Sequence, residues 1–136
     1  YLSAAGRLAD TVLGMAGRAA VTPRVDDLFF EALIRQIRLL HRFCAYCGHD
    51  RRPVGMDLLE RRLVERSSRL AGFAGDALVD ATMKPGADPA RLDTLLSRAE
   101  TIAGLMRAMD RSVELEALRV RIVAVRETLR TVRPAA

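Results

Sequence analysis

The stretch VDDLFFEALIRQIRLLHRFCAYC, residues 25–47, decides how the rest of the chain reads. Its apolar residues Val25, Phe29, Leu33, Ile37, Leu40, Cys44 and Cys47 recur in steps of three and four. That spacing lines side chains along one stripe of an α-helix. The same stretch holds four of the six aromatic residues (Phe29, Phe30, Phe43, Tyr46), both cysteines and one of the two histidines. It is expected to be the central helix and the place where any specific chemistry would reside.

Working outward, Thr22-Pro23 is a start signal for this helix, because threonine accepts from the first free N–H groups and proline fits the first helical position. Asp26, Asp27 and Glu31 near the start suit the helix dipole, with Arg35, Arg38 and Arg42 toward its negative end and Gly48 as the stop. Upstream, Leu2, Ala5, Leu8, Val12, Met15, Ala16 and Ala19 mark a first helix over residues 2–20, weakened by Gly6, Gly14 and Gly17. Downstream, the polar, glycine-bracketed stretch 48–55 reads as an exposed loop.

A long helical pattern then runs from Met56 to Met83 through Leu59, Leu63, Leu70, Ala74, Ala77 and Ala81, with a bend or fraying expected at Gly72 and Gly75. Lys84-Pro85-Gly86 ends it, and Asp88-Pro89 repeats the cap-then-proline start. Leu92, Leu95, Ala99, Ile102, Met106 and Met109 form the next stripe. The last is the most regular: Leu115, Leu118, Ile122, Val125, Leu129 and Val132. Its phase does not continue from Met109, so Asp110 and Ser112 are read as a turn between two helices. With no strand-like alternation and no repeat, the chain is expected to be all-α, one antiparallel bundle of four or five helices spanning residues 1–136.

At 136 residues such a chain buries about two thirds of its extended surface without help from disulfides or metals. No uncharged run approaches the ~20 residues that span a bilayer. Because it opens on Tyr1, the chain is expected to be a piece or a processed product of something larger. Two cysteines three residues apart do not make a disulfide framework, which points to a reducing, cytoplasmic compartment. The formal charge is +5, carried almost wholly by arginine. A basic surface attracts phosphate backbones or anionic lipid, but GC-rich coding produces the same arginine-for-lysine bias, and only clustering on one face distinguishes the two.

His41, Cys44, Cys47 and His49 are the types of ligand that zinc prefers. Against a zinc site, both cysteines occupy the apolar stripe, where a thiol behaves as a small hydrophobe, and no second, distant Cys/His pair exists. His49-Asp50 followed by Pro53 resembles the phospho-accepting box of histidine kinases and helical phosphotransfer proteins. In that box an acidic residue follows the histidine and a proline comes slightly later; here the proline is one position early and the box falls at a helix end. The resemblance implies a phosphoryl-accepting His49. Arg35 and His41 match the loose Arg-to-His spacing of some small helical ribonucleases, which implies charge stabilisation and acid–base roles on one phosphate. Six positions apart on a helix they point roughly 120° from side by side, so two subunits would have to contribute.

Arg119, Arg126 and Arg133 repeat every seven residues beside the final seam, with Arg130 close by. They read as flanking positions that reach acidic residues on a facing helix. The functional expectation is therefore a non-catalytic helical interaction or assembly module that binds a protein partner or itself through helical faces and needs no cofactor. The second reading is a basic nucleic-acid-binding protein touching phosphates through Arg35, Arg38, Arg42, Arg51, Arg52, Arg119, Arg126, Arg130 and Arg133. The third is a phosphotransfer protein or small enzyme that uses His41 or His49.

Overall fold

Apolar residues in steps of three and four fold here as five helices: α1 (Leu2–Val21), α2 (Asp27–Tyr46), α3 (Met56–Met83), α4 (Pro89–Ala108) and α5 (Ser112–Val132). The computed structural model describes residues 2–21, 26–46, 55–84, 86 and 88–132. Thr22, Pro23, Val25, Cys47, Gly48, His49, Asp50, Arg51, Arg52, Pro53 and Arg133, which figure in the reading above, lie outside the described residues, as do the side chains of Leu2, Ala5 and Val132. Among the described residues there is no strand, and no helix is long and apolar enough to cross a membrane.

The helix ends follow local chemistry. Asp88 accepts from the Ala90 backbone N–H at 3.1 Å with Pro89 in the first turn of α4, the cap-then-proline start expected from the sequence. At α2, Asp26 does the capping: its carboxylate accepts from the Leu28 backbone N–H at 3.0 Å. Between α4 and α5 the chain reverses in three residues. Arg111 N donates to Met106 O at 2.8 Å and Asp110 N to Arg107 O at 3.1 Å, with Asp110 in the left-handed region at φ 59°. These are the paired hydrogen bonds of a Schellman stop.

Side-chain pairings give the helix directions. Asp10 on α1 faces Arg62 and Arg66 on α3, Asp76 on α3 faces Arg121 on α5, and Arg126 on α5 faces Glu100 on α4. Ser68 at the middle of α3 lies beside Glu114 near the start of α5, and Asp76, further along α3, meets Arg121 further along α5. Thus α3 and α5 run parallel while α4 runs back between them, the up-and-down order that short connections enforce. Helix α3 touches all four others, and α5 packs on α3 and α4 on the side away from α1 and α2.

The core holds Ala9, Val12, Ala16, Phe30, Ile37, Cys44, Leu63, Leu78, Ile102, Leu105 and Met106 among others. The expected stripes of α4 and α5 are all inside wherever their side chains are described, with Leu115 partly so. In α1 and α2 the expected register is corrected near the N-termini. Leu8 and Phe29 are on the surface, while Ala9, Leu13, Phe30 and Ile34 are buried. The reason is that α2 meets α1, α3 and α4, so its buried arc is set by three neighbours rather than by a single seam. Helix α3 runs unbroken through Gly72 and Gly75, so it does not fray there.

One buried charge ties the first two helices to the fourth. Arg98 of α4 is buried; its Nη1 donates to the Ala19 carbonyl in the last turn of α1, and its Nη2 lies 3.4 Å from Asp27 Oδ1 at the first residue of α2. Its guanidinium also lies over the Phe30 ring, 5.6 Å from the centroid, within cation–π range. A helix C-terminus leaves carbonyls without intrahelical donors, so the guanidinium meets a ready acceptor.

Two outcomes are expected in urea denaturation. Arg98→Ala lowers stability by about 3 kcal/mol, through the cavity and the orphaned carbonyl, whereas Asp27→Ala costs under about 1 kcal/mol because that carboxylate is largely in water. For the glycines, Gly72→Ala stabilises by roughly 0.5–1 kcal/mol, since nothing lies within 4 Å of the new methyl. Gly75→Ala gains less, because a Cβ there would stand 2.5 Å from Arg121 Nη1 and displace the arginine from Asp76.

Candidate interaction surface

The residues that sequence reading grouped fall only partly within the described part of the chain. Cys44 is fully buried in the core, as a stripe position requires, and His41 on the next turn is half-buried. The candidate ligands Cys47 and His49 lie outside the described residues, and so does the phosphotransfer-like box. Among the described residues no group of three or more His, Cys, Asp or Glu is placed to hold a metal ion. Arg35 and His41 sit on one unbroken helix, Arg35 exposed, so a single chain does not converge them on a phosphate.

The arginine groups are likewise divided. Arg126 pairs with Glu100 across the α4–α5 interface, which is the facing-helix contact expected from the heptad spacing. Arg130 pairs with Glu127 at 3.3 Å on its own helix, and Arg119 is exposed. On α2, Arg38 reaches toward α4, with Nη2 3.6 Å from where a Cβ on Gly104 would stand, while Arg35 and Arg42 are exposed. Arg51, Arg52 and Arg133 lie outside the described residues.

The feature that emerges only in three dimensions is a second stripe on α2. Phe29, Ala32, Gln36, Leu39, Phe43 and Tyr46 are all exposed, and their spacing is three, four, three, four, three. At about 100° per residue they share an arc of roughly 100°, centred roughly 130° around the axis from the buried residues Phe30, Leu33, Ile34, Ile37 and Cys44. The large members stand well out of the protein: Phe29 is 45% exposed, Leu39 56%, Phe43 52% and Tyr46 93%, with Leu28 beside them at 74%. Arg35 and Arg42 border this seam along one edge. Elsewhere the exposed large apolar residues carry one aromatic, Phe73 on α3; those on α5, such as Val113, Val120 and Val123, are all valine.

Sequence reasoning passed over this seam because it assigned α2 a single stripe and placed Phe29 in it. The signal was present: Leu28, Phe29 and Phe30 are consecutive, as are Leu39 and Leu40, so more than one three-and-four register fits the apolar residues. A helix with two such registers has two faces to cover.

An open groove lies elsewhere, along the first half of α3 and ending at the start of α5. It is lined by charges that pair locally: Arg69 with Glu65 at 3.0 Å and Arg111 with Glu114 at 2.8 Å. Glu114 is held below the ordinary carboxylate range, first by a backbone N–H at its own residue in the first turn of α5 and then by the Arg111 guanidinium and the Ser68 hydroxyl; partial burial pulls the other way. The groove's Arg111–Glu114 pair lies at the start of α5.

Because the folded state depresses this pKa, Glu114 adds stability above its ordinary pKa of 4.5, and that contribution disappears as pH falls through the lower folded value. Denaturation of wild type and Glu114→Gln from pH 7 to pH 2 is expected to show a gap that is constant at neutral pH and closes below about 4.5. No known protein family matches the chain, and no curated protein or solved structure is significantly similar to it.

Proposed function

We propose that this protein is a non-catalytic helical interaction module that docks a partner helix along the outer seam of α2. The observation that carries this reading is the exposed 3-4-3-4-3 spacing with three aromatics and a leucine on it, since that spacing is what a second helix packs against with knobs in holes. Large aromatics cost little side-chain entropy to immobilise and dominate interface energetics. Isolated apolar residues on a surface need no explanation, but a continuous stripe on one helix does.

Magnitudes suit a reversible partner. At ~200 Å² per large side chain, the exposed parts of Leu28, Phe29, Leu39, Phe43 and Tyr46 come to on the order of 600 Å². Burying that surface gives a gross gain of about 15 kcal/mol at 25 cal/mol per Å². Association itself costs roughly 4–15 kcal/mol. The surplus fits a dissociation constant nearer micromolar than nanomolar.

Nucleic-acid binding is the competing reading, and the charge placement supports it less. Arg126 and Arg130 are already engaged with Glu100 and Glu127, and Arg38 leans on α4, so the arginines do not form one continuous track. An enzymatic reading has no pair of described groups set for proton transfer and stabilisation on one substrate.

Photo-crosslinking in cells that make the protein tests the proposal. A benzoyl-phenylalanine at position 43 or 46 is expected to give discrete protein adducts, while the same probe at Asp80 on exposed α3 gives none. Leu39→Glu removes those adducts and shifts the thermal midpoint little, because the side chain is on the surface. Absence of adducts from both seam positions overturns the reading. Binding to duplex RNA or DNA that falls steeply and linearly with log salt and survives Leu39→Glu transfers the function to the nucleic-acid alternative.

A further inference from the structure

We infer that the helix covering the outer seam is α2 of a second copy of this chain, laid parallel and in register around Gln36. This rests on the docking role proposed for the seam and names its occupant.

The argument starts from the one polar residue in the seam. Gln36 stands midway between Phe29 and Phe43, at the position equivalent to theirs, and a side-chain amide facing an apolar partner there loses its hydrogen bonds to water without replacement. In a parallel, in-register pair equivalent positions meet across the axis. Gln36 then faces Gln36 of the second copy, and the two amides satisfy one another, as a lone polar residue does when it sets register in a coiled coil. The flanking aromatics meet their own counterparts at the same time, giving a self-complementary contact with two-fold symmetry.

The antiparallel alternative fails on two counts. Centring the same seam on itself antiparallel places Gln36 opposite Leu39 of the second copy, which strands the amide. It also brings Arg35 beside the other copy's Arg42, because both border the same edge, and the like charges repel. In the parallel arrangement Arg35 lies over the neighbourhood of the other copy's Leu40, where its methylene stem covers apolar surface and its head stays in water. Asp27 and Glu31 lie well round the helix from the seam, at roughly 150° and 110° from its centre, so the acidic ends do not meet.

The area agrees with a second copy. A standard interface removes about 800 Å² from each partner, so on the order of 600 Å² of apolar side chain with the arginine stems added reaches the lower end of that class. The pair is therefore expected to form and separate with concentration rather than to be permanent.

Disulfide trapping and sedimentation on the full chain test this. Purified Gln36→Cys, oxidised mildly, is expected to form a dimer linked through position 36, mapped by peptide mass spectrometry so that the native cysteines are told apart. An equal mixture of Gln36→Cys and Leu39→Cys is expected to show no preference for the 36–39 link. In sedimentation, wild type passes from monomer toward dimer between about 1 and about 100 μM, and Phe43→Glu weakens the association at least roughly tenfold with an unchanged helical signal. A dominant 36–39 link overturns the parallel register, and a protein monomeric at every concentration overturns self-pairing. In that second case, adducts to a different protein from position 43 in cells leave the interaction role standing, and absence of adducts removes both.

Discussion

The Arg98 guanidinium settles how the first half of the bundle sits on the second. A charge at this depth is costly to strip of water, and it is tolerated only where its donors are used. Arg98 uses Nη1 on the Ala19 carbonyl at the end of α1 and Nη2 on the Asp27 carboxylate at the start of α2, while its face covers Phe30. Those contacts join three helices at a single residue. They also choose a rotation for α2: with Phe30 held beneath the guanidinium, Phe29 one step around the axis is turned to solvent. The outer seam is thus a consequence of the same contact that closes the core.

Once that rotation is set, α2 has more apolar surface than one bundle can cover. Its inner stripe packs on α1, α3 and α4, and its outer stripe stays exposed among the described residues. Helix α5 contrasts with it. There the outward residues are mainly small or charged, and arginines beside the seam reach Asp76 on α3 and Glu100 on α4. Gly75 has its physical explanation in that arrangement, since the Arg121 side chain crosses α3 where any larger residue would stand. Part of the basic charge, Arg62, Arg66, Arg98, Arg121 and Arg126, is thus spent on pairs between helices. Along α2, Arg35 and Arg42 are exposed and border the apolar seam.

The polar network at the start of α5 shows how local electrostatics serve the fold. Asp110 takes the left-handed backbone angle that closes α4, Arg111 follows as the connector, and Glu114 in the next turn accepts from backbone and guanidinium together. A charged groove beside it results from these contacts, because the residues that line it include the ones that stop one helix and start the next.

That the chain is an all-α bundle of four or five helices, and where α4 begins and gives way to α5, was legible in residue order. Asp88-Pro89 announces a start, the slip in phase between Met109 and Leu115 announces a reversal, and Leu118, Ile122, Val125 and Leu129 admit only one buried stripe. The burial of Cys44 was legible for the same reason. These are local properties: a cap, a turn and a single periodic stripe depend on neighbours within a few residues. The rotation of α2 was not, because Leu28, Phe29 and Phe30 in succession, and Leu39 beside Leu40, support two registers of equal quality. Only the packing of α2 against three other helices, with Arg98 reaching in from a residue some seventy positions away, decides between them. Hydrophobic periodicity states that a face will be apolar; which face is covered by the chain's own helices, and which stays exposed, is a property of the assembled bundle.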